Sequence, residues 1–154
     1  MNIVEITADK KKYLPLLLLA DEQESMIDRY LDRGTMFALE DGAVQAVCVV
    51  TDEGAGVLEL KNIAVDPRFQ RRGLGRALVA FLLERYAGAF QTLRAGTGDS
   101  PLTIPFYESC GFRRAYVVKN FFLDHYDKPI FECGRQLTHM VYLERPIPLE
   151  VSRP

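Results

Sequence analysis

The stretch Ile63-Ala64-Val65-Asp66-Pro67-Arg68-Phe69-Gln70-Arg71-Arg72-Gly73-Leu74-Gly75-Arg76 runs from an apolar strand through a basic loop into the start of a helix. Gly73 and Gly75 remove side chains where another group could approach the main chain. The first amides of a helix have no internal acceptors, and the helix dipole favours an anion beside them. Arg71, Arg72 and Arg76, with Arg68 just upstream, place positive charge at that same end, which is unfavourable unless an anion is bound there. Taken singly, the arginines read as solvated surface and the glycines as a helix start. Their coincidence with strand and amphipathic helix points to an anion site. No Gly-Lys-Ser or Gly-Lys-Thr follows, so it is not a P-loop; Leu78 stands where a dinucleotide fingerprint needs its third glycine.

Outward from this turn, Leu74, Ala77, Leu78, Phe81 and Leu82 make one apolar helical stripe that Gly88 stops. Gln91 to Ala95 reads as a strand, Gly96 to Pro101 as a loop, and Ile104 to Cys110 as a short helix with Thr103 as N-cap and Gly111 as its end. Phe112 to Val118 is a further strand, and strand, helix, strand at this spacing implies a right-handed parallel crossover. Upstream, Thr35 to Glu40, the dipeptide Asp41-Gly42 and Ala43 to Thr51 signal a hairpin with a primed turn, followed by the strand Val57 to Val65. Leu14 to Leu31 reads as one broken helix or two short ones after a first strand, Asn2 to Thr7. Phe121 to Arg135 looks irregular and Thr138 to Glu144 forms a last strand. The fold class is mixed α/β (α+β), its sheet antiparallel in the first half and parallel around Val57 to Ala95.

The 154 residues carry 19 Lys and Arg against 21 Asp and Glu, a formal charge of −2 that argues against a general nucleic-acid binder. With 48% hydrophobic residues, the length suits one domain spanning 1–154. The longest apolar run, Leu14 to Ala20, is too short for a membrane span, and Met1 to Glu5 lacks the make-up of a signal peptide. A cytoplasmic protein is expected. Cys48, Cys110 and Cys133 are read as reduced thiols, and neither they nor His125 and His139 have metal-ligand spacing, so no metal is expected.

Gln70-Arg71-Arg72-Gly73-Leu74-Gly75 resembles the signature of the GCN5-related N-acetyltransferase (GNAT) superfamily, Gln/Arg-x-x-Gly-x-Gly/Ala after the fourth strand. Phe106-Tyr107-Glu108-Ser109-Cys110-Gly111-Phe112 resembles the same family's Phe-Tyr-x-x-x-Gly-Phe element. The resemblance implies a central sheet with parallel strands around a V-shaped acetyl-CoA slot, flanked by helices. It implies that acetyl-CoA is the cosubstrate, its pyrophosphate on the amides of Arg71, Arg72, Gly73, Leu74, Gly75 and Arg76, with Gln70 in the same turn. The pantetheine would run beside the main chain of Ile63, Ala64 and Val65. Asp99 or Ser100 stands where the family often has an asparagine that contacts pantetheine.

An amine attacking a thioester must lose a proton, and the departing thiolate benefits from one. Tyr107 is the family-matched general acid, since a phenol is protonated at neutral pH. Glu59 is the candidate base: strand alternation places it on one face with Lys61, Ile63 and Val65, six positions before Val65, where the histone-acetyltransferase branch has its catalytic glutamate. Pairing of Glu59 with Lys61 or a cross-strand cation is the equal alternative. Cys110, at a helix C-terminus, is poorly placed for thiolate activation and reads as packing. The family's acceptor groove would be lined by Asp21 to Glu24 with Asp28, and by Phe121 to Glu132, which suits a small-molecule or side-chain amine, including a cationic one. The expected activity is acetyl transfer to a primary amine by direct attack in a ternary complex. The alternative is a non-catalytic acyl-CoA binding or sensing module. No membrane or nucleic-acid partner is expected, and a homodimer is left open.

Overall fold

The computed structural model describes residues 2–151, so Met1 of the N-terminal stretch lies outside them. Seven strands form one sheet in the order β1-β2-β3-β4-β5-β9-β6: β1 Asn2–Ile6, β2 Thr35–Asp41, β3 Ala43–Asp52, β4 Val57–Val65, β5 Thr92–Gly98, β6 Arg113–Val118 and β9 Met140–Pro146. The sheet is antiparallel from β1 through β4, and β4 and β5 are parallel. β9 enters between β5 and β6, antiparallel to both, so the crossover from β5 to β6 skips one strand.

Helices cover both faces. On one, α3 (Leu74–Arg85) and α4 (Ile104–Ser109) pack Leu78, Leu82, Ile104 and Tyr107 onto Leu58, Leu60, Leu93 and Leu143. Leu78 and Leu82 are fully buried, each contributing about 1.5–3 kcal/mol by the transfer of its side chain from water. On the other, α1 (Leu14–Ala20) and α2 (Glu24–Asp28) pack Leu17, Ile27, Tyr30 and Leu31 onto Met36, Ala38, Val47, Val49 and Ala64. These are the two short helices the sequence allowed.

β4 carries the decisive irregularity. Val49 faces Asn62 while Val50 faces Leu60, which leaves Lys61 unopposed. An extra residue of this kind reverses the alternation of side chains. Leu58 and Leu60 therefore share a face with Ile63 and Val65, and Glu59 comes out on the opposite one, across from Thr51. The expectation that Glu59, Ile63 and Val65 point the same way is corrected by this bulge. The β4–β5 ladder stops at Leu60 and Ala95, while β4 stays paired to β3 as far as Val65 and β5 to β9 as far as Gly98. The two parallel strands therefore splay into a V that opens towards the start of α3.

Four further expectations change. β5 continues to Gly98 in place of the loop Gly96 to Pro101, because its glycines give room to neighbours: a Cβ on Gly96 would sit 2.8 Å from Tyr142, and one on Gly98 2.6 Å from Leu137. At the Asp41-Gly42 turn only Gly42 has positive φ, with a register shift between Leu39 and Glu40. Thr103 caps no amide; its hydroxyl bonds that of Thr97 at 2.6 Å. The segment read as irregular contains α5 (Phe121–His125) and a small hairpin of β7 (Phe131–Glu132) and β8 (Arg135–Gln136).

Candidate active site

The mouth of the V is built from main chain. Asp66 N donates to Gln45 O at 2.8 Å, and bonded pairs alternate with unbonded ones along an antiparallel ladder. Ala64, two residues back, thus spends its N–H and C=O on β3, whereas Ile63 and Val65 turn theirs into the opening. Of the three residues expected to offer main chain to a ligand, the ladder assigns two. The Val65 carbonyl already accepts from Gln70 Nε2 at 3.2 Å.

The opening ends on the first turn of α3. Arg71 and Gly73 hold φ of 64° and 77°, and Gly73, at the N-cap, supplies no side-chain acceptor; the first turn has no acidic residue. Among the described residues no backbone acceptor serves the amides of Arg71 to Leu74, and Gly75 and Arg76 are among the first amides of the helix, which lack one by construction. Gly75 has a second reason to be glycine: a Cβ there would press on the Phe106 ring at 3.1 Å. Arg76 donates to the carbonyl and hydroxyl of Ser109, both at 2.9 Å. These two contacts fasten α3 to α4, so the two sequence blocks form one unit.

The basic cluster is smaller than the sequence suggests. Arg68 is ion-paired to Asp66 at 3.0 Å, and Arg76 is engaged by Ser109. Arg71 and Arg72 are exposed and have no acidic partner among the described residues. Ser100 is buried with its hydroxyl taking the amide of Leu102 at 3.1 Å, and Asp99 is exposed opposite Arg114; neither is brought to the Ile63–Val65 edge by a recorded contact.

Tyr107 is 7% exposed, in edge contact with Phe106 and Phe112 at ring separations of 5.3 and 5.4 Å. Burial, and then the nearby Cys110 and Glu132, push its hydroxyl well above the ordinary tyrosine range, so it is a neutral donor at neutral pH. Cys110 is buried, and burial raises its thiol too, in keeping with packing.

Glu59 is 4% exposed, with Arg94 Nε 2.7 Å from one carboxylate oxygen and Lys61 Nζ 2.7 Å from the other. Arg94 also lies over the ring of Tyr142, and Arg33 pairs with Glu53 beside it. Each carboxylate oxygen of Glu59 therefore faces a cation.

The two expected acceptor segments do meet. Tyr126 donates to Asp21 at 2.7 Å, Asp127 N donates to Gln23 at 2.8 Å, and Tyr30 donates to Asp21 at 3.0 Å. Burial raises the Asp21 carboxyl, against the lowering effect of the two hydroxyls. Glu24 and Asp28 share the single cation Lys11, so the trio stays net negative. Asn62, absent from the expected site, donates to the Leu17 carbonyl at 3.0 Å and the Tyr30 oxygen at 3.1 Å. Its signal in sequence was a lone amide in the strand Val57 to Val65. His139 accepts the amide of Asn120 and His125 packs on Phe121, both local roles.

Residues 32–114 match a family model described as an acetyltransferase (GNAT) domain. The uncharacterized N-acetyltransferase YvbK of Bacillus subtilis is 39% identical over 83% of this chain and 84% of its own length. The ribosomal protein bS18-alanine N-acetyltransferase of Salmonella typhimurium is 35% identical over 73% of this chain, which spans 63% of that enzyme. Among solved structures, a GNAT family acetyltransferase from Elizabethkingia anophelis with acetyl-CoA bound has a TM-score of 0.88 at 32% identity, covering 94% of this chain and 97% of that one. A Bacillus subtilis acetyltransferase in complex with CoA has a TM-score of 0.86 at 34% identity over the same shares.

Proposed function

The chain belongs to the GNAT acetyltransferase family, and from that premise we propose that it transfers the acetyl group of acetyl-CoA to a primary amine by direct attack in a ternary complex. The observation that carries the reading is the V between β4 and β5, which runs from an unpaired strand edge to unfilled helix amides. In this reading the amides of Arg71 to Arg76 receive the pyrophosphate, with charge from Arg71 and Arg72. The pantetheine amides pair with the main chain of Ile63 and Val65 as an added strand would. The acceptor nitrogen attacks the thioester carbon, the carbon–sulfur bond breaks, and Tyr107 gives its proton to the leaving thiolate.

The acceptor comes from the α1/α2 side, where the segment around Tyr126 meets Asp21 and Gln23. Lys11 offsets one of the two carboxylate charges of Glu24 and Asp28, and a primary amine, small or at the end of a peptide or side chain, is the class we assign. Glu59 takes the amine's proton in this reading. Thiol release from acetyl-CoA, followed across spermidine, kanamycin, L-lysine and a peptide beginning with alanine, tests the function. Amine-dependent release with one of them supports it. CoA binding with no release from any amine would favour a binding module. For Glu59→Gln, loss of the acidic limb of the pH–rate profile supports the base role, and an unchanged profile with a lowered Tm assigns Glu59 to the ion-pair network alone.

A further inference from the structure

Asn62 lies one residue past the unopposed Lys61, at the point where β4 has left β5. Its side chain faces α1 and α2 and is 3% exposed. A carbonyl only accepts, so the bond to Leu17 O fixes the carboxamide with its nitrogen on that side. Asn62 Oδ1 is then the one buried side-chain polar atom without a partner among the described residues. An unpaired buried acceptor is costly, and a donor that reaches it is correspondingly favoured.

The bonds behind it all run one way. Asn62 donates to the Tyr30 oxygen, and Tyr30 donates to Asp21. The carboxylate thereby polarises the phenol and, through it, the carboxamide, adding electron density at Oδ1. Tyr126 donates to the other Asp21 oxygen and holds the carboxylate in place.

We propose that Asn62 Oδ1 is the seat for an N–H of the acceptor amine, with Tyr30 and Asp21 as positioning residues that orient and polarise it. This rests on the N-acetyltransferase reading above and deepens it, because the seat fixes the nucleophile beside the Ile63 and Val65 edge. It recognises the N–H itself, so a quaternary ammonium of the same charge and chain is refused.

The test uses the full chain loaded with CoA and labelled with ¹⁵N, titrated with n-butylamine and with butyltrimethylammonium, which keeps the chain and charge but has no N–H. The Asn62 side-chain amide resonances are expected to shift saturably with the first and to stay still with the second. No shift with either, or equal shifts with both, overturns the seat. Asn62→Leu, which lacks that side-chain reporter and is followed on the backbone amides of Ile63 and Val65, should weaken butylamine binding by about tenfold or more with CoA affinity within about twofold, as expected for one lost hydrogen bond to a charged group. Asp21→Asn removes the charge and turns one of the two oxygens that accept from Tyr30 and Tyr126 into an NH2 donor, so it interrupts the chain behind Asn62 without touching Asn62 itself and serves if the leucine variant does not fold. It should weaken butylamine several-fold, and an unchanged response overturns the coupling. Failure of the wild-type chain to bind CoA would instead strike at the acetyltransferase reading.

Discussion

The acid role proposed for Tyr107 depends on its burial. The desolvation that raises its hydroxyl keeps a proton on it throughout the neutral range. Tyr107→Phe should lower kcat by about 10²–10⁴-fold, the usual weight of a general acid, with the dissociation constant for acetyl-CoA within about twofold by calorimetry. Because the shift is upward, the wild-type pH–rate profile should show no falling limb from this residue below about pH 10. Asp21 is the opposite case, a carboxyl whose burial disfavours its charged form. With the folded value raised, the stability it contributes is present at low pH and is lost as pH rises through that value. Asp21→Asn removes the titrating group and should flatten the dependence of Tm on pH in the acid-to-neutral range while damaging the amine response; an unaltered pH dependence of Tm with a rise in activity would contradict both halves.

Elements matter here through where they stop pairing. α3 offers its first turn because Gly73 provides no cap and Gly75 lets Phe106 close against the helix. Gly75→Val should push on the Phe106 ring, part α3 from α4, and lower both Tm and CoA affinity. The arginines act more simply. Replacing Arg71 and Arg72 together by Ala should weaken CoA binding and flatten its salt dependence while leaving Tm of the free protein within about 2 °C, since both are exposed and outside any ion pair among the described residues. Fluorescence titration at two ionic strengths distinguishes this from a structural loss.

The whole molecule is a sheet clad on both faces that leaves one deliberate gap. A ligand filling that gap binds the folded state only, so acetyl-CoA at a hundred times its dissociation constant should stabilise by about 2.7 kcal/mol. In a chain of this size that is a rise in Tm of roughly 5–10 °C by thermal shift, and ATP at equal concentration should give much less because it lacks the arm proposed to pair with β4. Among the described residues no helix is long and apolar enough to cross a membrane.

Much of this was legible in the chain order of residues. Hydrophobic period, Asp-Gly and the two motif blocks placed β2, β3, β4, α3 and α4 to within a few residues, because those signals are local: propensity, turn chemistry and free helix amides depend on neighbours in sequence. The turn proposed to receive the pyrophosphate stood out from its glycines and arginines alone, a local signal of the same kind. The tertiary structure decided what depends on cross-strand partners. The unopposed Lys61 exists only relative to β3, yet it turns Glu59 to the other face and sets Asn62 beside α1 and α2. Likewise Arg68 and Arg76 look free in sequence and are spoken for in space, Gly96 and Gly98 look like a loop and are clearances for Tyr142 and Leu137, and Asp21 meets Tyr126 across 105 positions. Local chemistry is written in the order of the residues, whereas register, pairing and burial are properties of contacts that only the folded chain makes.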